Sequence, residues 1–285
     1  MTQAGVLYVV ATPIGNMGDI SARAREILAG VSAVAAEDTR HSALLLRELG
    51  LERPLVSLHE HNERARAVEL VGRLRAGESI ALVSDAGTPL ISDPGYLLLQ
   101  AALEAGITVS PVPGPSAAIA ALSASGLPCD RFCFEGFLPA RAIARRRRLA
   151  ELAADARTLV IYEAPHRIAA CLADLAAACG PARRACVARE LTKHFETFYR
   201  GSLGELAERA KTDENMARGE SVVLVEGAAE QAGDSARLDE MLQILLGFLP
   251  PSAAAAAVAK LTGTRRNDAY ERALRLARKG PDDPA

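Results

Sequence analysis

The sequence predicts an α/β fold, with two α/β domains followed by a small helical C-terminal extension, and three observations predict it. Across residues 1–125 short apolar runs alternate with helical patterns. A Gly126-Leu127-Pro128 break follows, and a second alternating set fills residues 126–228. Residues 236–285 then read as helical. Strands that alternate with helices imply a largely parallel first sheet with helices on both faces.

Each element has a local reason. Residues 5–11 form a buried strand stopped by Thr12-Pro13. Ser21 caps a helix through Leu28, residues 31–36 are a second strand, and residues 41–49 are a helix ended by Gly50. Residues 55–58 make a short strand and residues 63–75 a charged amphipathic helix. The run S-I-A-L-V-S at 79–84 is the clearest strand; a helix at 95–105, a fifth strand at 107–112 and a helix at 116–125 complete the domain. Beyond the break, strands are expected at 131–134, 158–162, 185–189, 197–201 and 221–225, with helices at 140–153 and 166–178. The order of this second sheet is not legible from periodicity. Residues 228–236 are polar and Ala/Gly-rich, the pattern of a linker. The extension offers a helix at 252–261, halted by Thr262-Gly263, and another at 267–278.

Composition narrows the class. A hydrophobic content of 49% and a charged content of 24% are ordinary for a globular chain and argue against disorder. The formal net charge of −2 means that a nucleic-acid partner has to be held by local basic patches. Five cysteines form no C-x-x-C pair, which argues against metal ligation and fits reduced, packed thiols. The N-terminus lacks the marks of a signal peptide, and no run approaches the roughly 20 apolar residues of a membrane span. A cytoplasmic chain without a membrane partner is the expectation.

Open α/β sheets bind ligands beyond the carboxyl ends of their strands. Three such places carry Pro/Gly-shaped loops: Thr12-Pro13-Ile14-Gly15-Asn16 after the first strand, Ser84-Asp85-Ala86-Gly87-Thr88-Pro89-Leu90-Ile91-Ser92-Asp93-Pro94-Gly95 after the fourth, and Pro113-Gly114-Pro115-Ser116-Ala117 after the fifth. One such loop alone is an ordinary tight connection; three at equivalent strand ends, two of them bearing Asp or Ser, point to a site. The fingerprints G-x-G-x-x-G, G-x-x-x-x-G-K-[ST], H-E-x-x-H and G-x-S-x-G are all absent, so the site lacks a dinucleotide, nucleoside-triphosphate, zincin or hydrolase signature.

These loops, taken with Ala36-Glu37-Asp38-Thr39-Arg40, Tyr162-Glu163-Ala164-Pro165-His166-Arg167 and Ala188-Arg189-Glu190-Leu191-Thr192-Lys193, closely resemble the ribosomal RNA small subunit methyltransferase I family of the tetrapyrrole methylase superfamily. The match covers residues 5–227 in order, carried by these six motifs, and recurs weakly in the tail. The resemblance implies two α/β domains of tetrapyrrole-methylase type, with S-adenosylmethionine bound in the cleft between them, and a homodimer. It implies 2′-O-methylation of a cytidine in the decoding region of 16S rRNA, within the 30S subunit. Carried onto this chain, the donor-site residues are Asp85 with Ala86 and Gly87, then Ser116, Ala117, Tyr162, Glu163, Val222 and Val223, with Pro13 and Ser92 from the same loops. Porphyrin-methylating relatives often show Gly-Asp-Pro in the Asp loop; here it reads Ser84-Asp85-Ala86, a departure that favours the RNA subgroup.

A ribose hydroxyl needs a base or an oxyanion stabiliser to attack a methyl group. Glu190 or a neutral Lys193 could act as base while Arg189 holds a phosphate; equally, Arg189 and Glu190 could form a structural ion pair. His59, His61, His166 and His194 are weaker candidates. For RNA, the dense run Arg145, Arg146, Arg147 and Arg148 points all around a predicted helix, a pattern read either as a solvated face or as a polyanion contact. Arg40 is a further candidate. In the extension, seven basic residues oppose two acidic ones over residues 253–280, a net +5 that includes Arg265 and Arg266. That tail fits either an RNA-docking helix-turn-helix or a plain helical hairpin. Two other functions remain open at this level: a small-molecule methylase acting on a tetrapyrrole-like ring, and a non-catalytic RNA-binding assembly factor.

Overall fold

The first sheet is wholly parallel, as its apolar strand runs require. Its strands are β1 (Val6–Val10), β2 (Ala33–Ala36), β3 (Leu55–Ser57), β4 (Ile80–Val83) and β5 (Thr108–Val112), in the order β3-β2-β4-β1-β5. β1 pairs β5 residue for residue from Val6↔Thr108 to Val10↔Val112. Between the strands run α1 (Ala22–Gly30), α2 (Thr39–Glu48), α3 (Glu63–Arg75), α4 (Tyr96–Glu104) and α5 (Ala117–Ala124). β4 is buried along its whole length because both faces are covered: Ile80 and Leu82 join Leu70 and Leu98 on one side, while Ala81 and Val83 join Leu28 and Leu46 on the other. The computed structural model describes residues 4–59, 61–229 and 232–278 of the chain.

The second sheet is mixed. β6 (Phe132–Phe137), β7 (Thr158–Glu163), β8 (Arg184–Arg189), β9 (Thr197–Ser202) and β10 (Ser221–Val225) lie in the order β6-β7-β10-β8-β9, with only the β6–β7 pair parallel. One face carries Leu159, Ile161, Val187 and Val223 under α6 (Ala142–Leu152), α7 (Ile168–Cys179) and α8 (Leu203–Thr212). The other carries Val160, Ala188, Val222 and Leu224, which pack on α5 of the first half. α5 thus precedes the Gly126 break in sequence but packs on the second sheet. α8 was not expected from periodicity; it starts at a reciprocal capping box between Ser202 and Glu205.

Residues 1–227 form one compact unit and residues 228–285 another. The second contains α9 (Ala232–Leu246), α10 (Pro251–Thr262) and α11 (Arg266–Arg278) around Leu242, Ala254, Val258, Ala269 and Ala273. α9 begins inside the segment expected to be a linker, since alanine there outweighs the cost of one early glycine. α10 ends at Gly263 in the left-handed conformation, the turn the sequence announced. Lys279, the last basic residue counted in the tail, lies outside the described residues. No helix among the described residues is long and apolar enough to cross a membrane.

Candidate active site

The three unusual loops belong to neighbouring strands. β4, β1 and β5 are adjacent in the sheet, so their carboxyl ends open side by side at a topological switch point. Backbone bonds then knit the loops together. Thr12 N donates to Gly87 O at 2.8 Å and Gly87 N donates to Thr12 O at 3.1 Å. The Thr88 hydroxyl donates to Pro115 O at 3.0 Å. A Cβ at position 114 would stand 2.9 Å from the Ala11 side chain, so glycine is what lets the third loop close on the first.

The loop from Ser84 to Gly95 is held in a costly shape. Leu90 and Ser92 both adopt positive φ, at 74° and 70°, a strain that persists only where the surroundings over-determine it. Its exit is anchored by Glu63 of α3, whose buried carboxylate accepts from Gly95 N at 3.0 Å and Leu97 N at 2.7 Å, at the start of α4. An anion on orphan helix N–H groups is favourable, and removing it leaves those donors dry. Glu63→Ala is therefore expected to lower stability by about 2–3 kcal/mol in urea denaturation, with donor affinity falling alongside as the loop relaxes.

Opposite these loops stands the second sheet. The ends of β6, β7 and β8 and the start of β10 bring Phe137, Tyr162, Ala188 and Val222 to face Asp85, Ser92, Ser116 and Ala117 across a cavity of about 510 Å³. That volume lies in the roughly 300–1,000 Å³ range of small-molecule sites. Ala118 N donates to the Tyr162 hydroxyl at 3.2 Å and ties the two walls.

The cavity is acidic. Glu37, Asp85 and Asp93 all line it, joined at the rim by Glu220. Asp85 Oδ1 accepts from Asp38 N at 3.2 Å, which orients its carboxylate. Burial, followed by the neighbouring charges of Glu37 and Asp85, pushes the Asp93 carboxyl up to about 6, against the pull of the Ser84 hydroxyl. Burial also raises the Tyr162 phenol, and Asp93 adds to that rise against the Ala118 N–H.

Most expected cofactor residues do line this cavity: Asp85, Ala86, Gly87, Ser92, Ser116, Ala117, Tyr162, Glu163 and Val222. Two of the expectations need correction. Pro13 does not line the wall, and its neighbour Ile14 does. Val223 faces away, because alternate strand residues point to opposite faces and it joins the core under α6 and α7. Glu163 lines the cavity with a buried carboxylate, whose Oε1 accepts from Ala164 N at 2.9 Å and pairs with Arg167 at 3.1 Å.

The expected catalytic trio sits beside the cavity in a different arrangement. Arg189 is buried and donates to backbone carbonyls, from Nε to Arg218 O at 2.6 Å and from Nη1 to Phe195 O at 3.3 Å, so it is not a free phosphate clamp. Its ion pair with Glu190 does not form. Lys193 Nζ instead bridges Glu190 and Glu220, at 2.9 Å each. Burial lowers the Lys193 ammonium but the two carboxylates outweigh it, and the net shift is upward. Burial raises Glu190, yet the Glu220 N–H and Lys193 bring it below its ordinary value. A firmly protonated lysine and an acidified carboxylate are both poor bases. Asp93, Glu37 and Phe137 were not singled out from sequence, although Asp93 stands inside the Pro/Gly loop that was.

The arginine run proves partly structural. Arg145 is buried on Asp174 at 2.7 Å, and Arg148 binds Glu135 at 2.7 Å and Glu151 at 2.9 Å. Arg146 shares Asp174 at 3.1 Å but stays exposed, and Arg147, 86% exposed, only brushes Glu151 at 3.8 Å. Arg40 is exposed but clasped by both oxygens of Asp38. Arg265 and Arg266 are exposed at the start of α11.

Comparison with known proteins bears on this geometry. Residues 6–207 match the model of the Tetrapyrrole (Corrin/Porphyrin) Methylases, and residues 232–277 match that of the RsmI C-terminal HTH domain. The chain is 56% identical over 273 residues to ribosomal RNA small subunit methyltransferase I of Xylella fastidiosa strain Temecula1, covering 95% of this chain and 99% of that one. It is 53% identical over 274 residues to the protein of that name from Pseudomonas aeruginosa, covering 95% and 97%. Among solved structures, uroporphyrin-III C-methyl transferase from Thermus thermophilus, complexed with S-adenyl homocysteine, superposes with a TM-score of 0.55 at 19% identity, covering 78% of this chain and 97% of that one.

Proposed function

As a chain that belongs to the tetrapyrrole (corrin/porphyrin) methylases, and within them to the ribosomal RNA small subunit methyltransferase I group, this protein, we propose, methylates the 2′-hydroxyl of a cytidine in the decoding region of 16S rRNA. Its methyl donor is S-adenosylmethionine. The observation that carries the reading is the sign of the cavity. Glu37, Asp85 and Asp93 converge on a space sized for one small molecule, a lining that suits a positively charged sulfonium and opposes a polyphosphate.

The donor supplies an electrophilic methyl carbon on a cationic sulfur; the rest of the work falls to the chain. The knitted loops and Tyr162 fix the donor side of the cavity, and good alignment of reactants is worth about 7–11 kcal/mol of barrier. A ribose hydroxyl becomes a nucleophile as its proton is drawn off. Asp93 is the cavity carboxylate best suited to take that proton, since a base works best when its pKa lies near the working pH. This role replaces the one expected of Glu190 and Lys193, which instead brace the rim through Glu220.

RNA phosphates are assigned to the exposed Arg146 and Arg147 on α6 and to the exposed Arg265 and Arg266 where α11 begins. The substrate is taken to be the 30S subunit, met in the cytoplasm by a homodimer. Arg146→Ala with Arg147→Ala is expected to weaken RNA binding and to reduce the slope of log affinity against log salt by about 1 per arginine, with donor affinity unchanged.

The deciding experiment supplies labelled donor with purified 30S subunits that lack the modification and maps the labelled nucleotide. Label is expected at one cytidine whose 3′ linkage resists alkali, because a methylated 2′-oxygen cannot attack it. Label on a base, or none in RNA despite donor binding, rejects the reading.

A further inference from the structure

Phe137 is a large apolar side chain left 57% exposed at the wall of the cavity. Its position needs an unusual strand. Phe134 and Phe137 are three residues apart, a spacing that puts side chains on opposite faces of a regular strand. β6 carries a bulge between Phe134 and Gly136: Phe134 pairs Val160, Gly136 pairs Ile161 and Phe137 pairs Tyr162, with Glu135 as the extra residue. The inserted residue brings both rings to the cleft face, where each meets Tyr162 edge to face, at centroid distances of 4.9 Å and 5.7 Å. Gly136 makes the bend possible with φ at 61°, and a Cβ there would press on the Ser92 hydroxyl at 3.0 Å. Bulges next to sites commonly re-aim a side chain. Here the strand gives up regular pairing to hold an aromatic ring at the cavity, unburied.

We propose that Phe137 is the stacking platform for the nucleobase of the nucleotide being methylated. The inference rests on the RNA reading above. A ribose drawn into a cavity takes its nucleotide out of the helical stack, and an aromatic side chain can replace the vacated stacking surface. A phenyl ring held against Tyr162 supplies that surface without selecting a base by hydrogen bonds, as aromatic platforms do for single-stranded nucleic acid. Phe134, buried deeper in the same row, backs Tyr162 and keeps the platform rigid.

The test compares Phe137→Leu, which keeps apolar bulk but loses the π face, with Phe137→Ala and Phe137→Trp. The readouts are kcat/KM for 30S subunits, the dissociation constant for S-adenosylhomocysteine by calorimetry, and circular dichroism for folding. Leu and Ala are expected to lower kcat/KM for RNA by roughly 10- to 100-fold, the worth of one lost stack, with Trp close to the native chain and ligand affinity preserved in all three. An affinity for S-adenosylhomocysteine that falls in step with the RNA parameter assigns the ring to the donor site and overturns the inference. So does a Leu variant as active as the native chain. A native chain that labels no ribosomal RNA overturns the functional reading, and this inference with it.

Discussion

Asp93→Asn is expected to lower kcat by about 10²- to 10⁴-fold, the usual worth of general-base catalysis. The carboxyl titrates at about 6 in the free protein because it is half-buried beside Glu37 and Asp85. A base must be deprotonated to act, so kcat/KM for the donor should rise about tenfold per pH unit below 6 and level off above it. The cationic donor favours the ionised carboxylate, which moves the same limb of kcat to lower pH. In the Asn variant the limb should vanish. Folding is not the obstacle. The folded-state pKa is raised above the ordinary value of 3.8, so stability from this group is fully present below pH 3.8 and is lost as pH rises through 6. At pH 7 the native chain carries that penalty in full, and Asn should be at least as stable. Activity within threefold of the native chain would remove Asp93 from the reaction. Loss of donor binding by more than about 100-fold would make it a donor-binding group instead.

Where sequence reasoning succeeded, it rested on local chemistry. The three Pro/Gly loops were visible because proline and glycine constrain the backbone wherever they occur, and β4, β1 and β5 then placed them together. The helix start at Ser21 followed from a cap whose oxygen accepts from Ala24 N, whereas α2 begins two residues before the expected 41, where Asp38 accepts from Arg40 N. What remained hidden was tertiary. The direction of Val223 depends on which face of β10 meets α5, and no residue near it announces that. Lys193 was read as a possible neutral base because its partner Glu220 lies 27 residues away. Phe137 escaped notice because an odd spacing in a strand has meaning only once the bulge is seen. Asp93 gains its setting only in the folded chain, where Glu37, from the end of β2, lines the same cavity.

Asp174→Ala is expected to cost about 3–5 kcal/mol of stability, the penalty for stranding one member of a buried ion pair. Arg145 on α6 is only 5% exposed and donates from Nε to Asp174 of α7 at 2.8 Å, with Nη2 at 2.7 Å. Without Asp174 its buried charge loses its ion-pair partner. The reverse change should be gentler. Arg145→Met leaves Asp174 next to Arg146, which already reaches it at 3.1 Å from an exposed position, and methionine fills the space with apolar atoms. The double variant Arg145→Met with Asp174→Leu should recover most of the loss, as buried ion pairs replaced by packed apolar groups often do. Urea denaturation followed by far-ultraviolet circular dichroism ranks the three. The ranking also decides what the arginine run is for. If Arg145 anchors α6, then Arg145→Met leaves RNA affinity and its salt dependence intact, because the proposed phosphate contacts fall to the exposed Arg146 and Arg147. If Asp174→Ala stays within 1 kcal/mol of the native chain while Arg145→Met loses RNA affinity, the pair is no anchor and all four arginines belong to the interface.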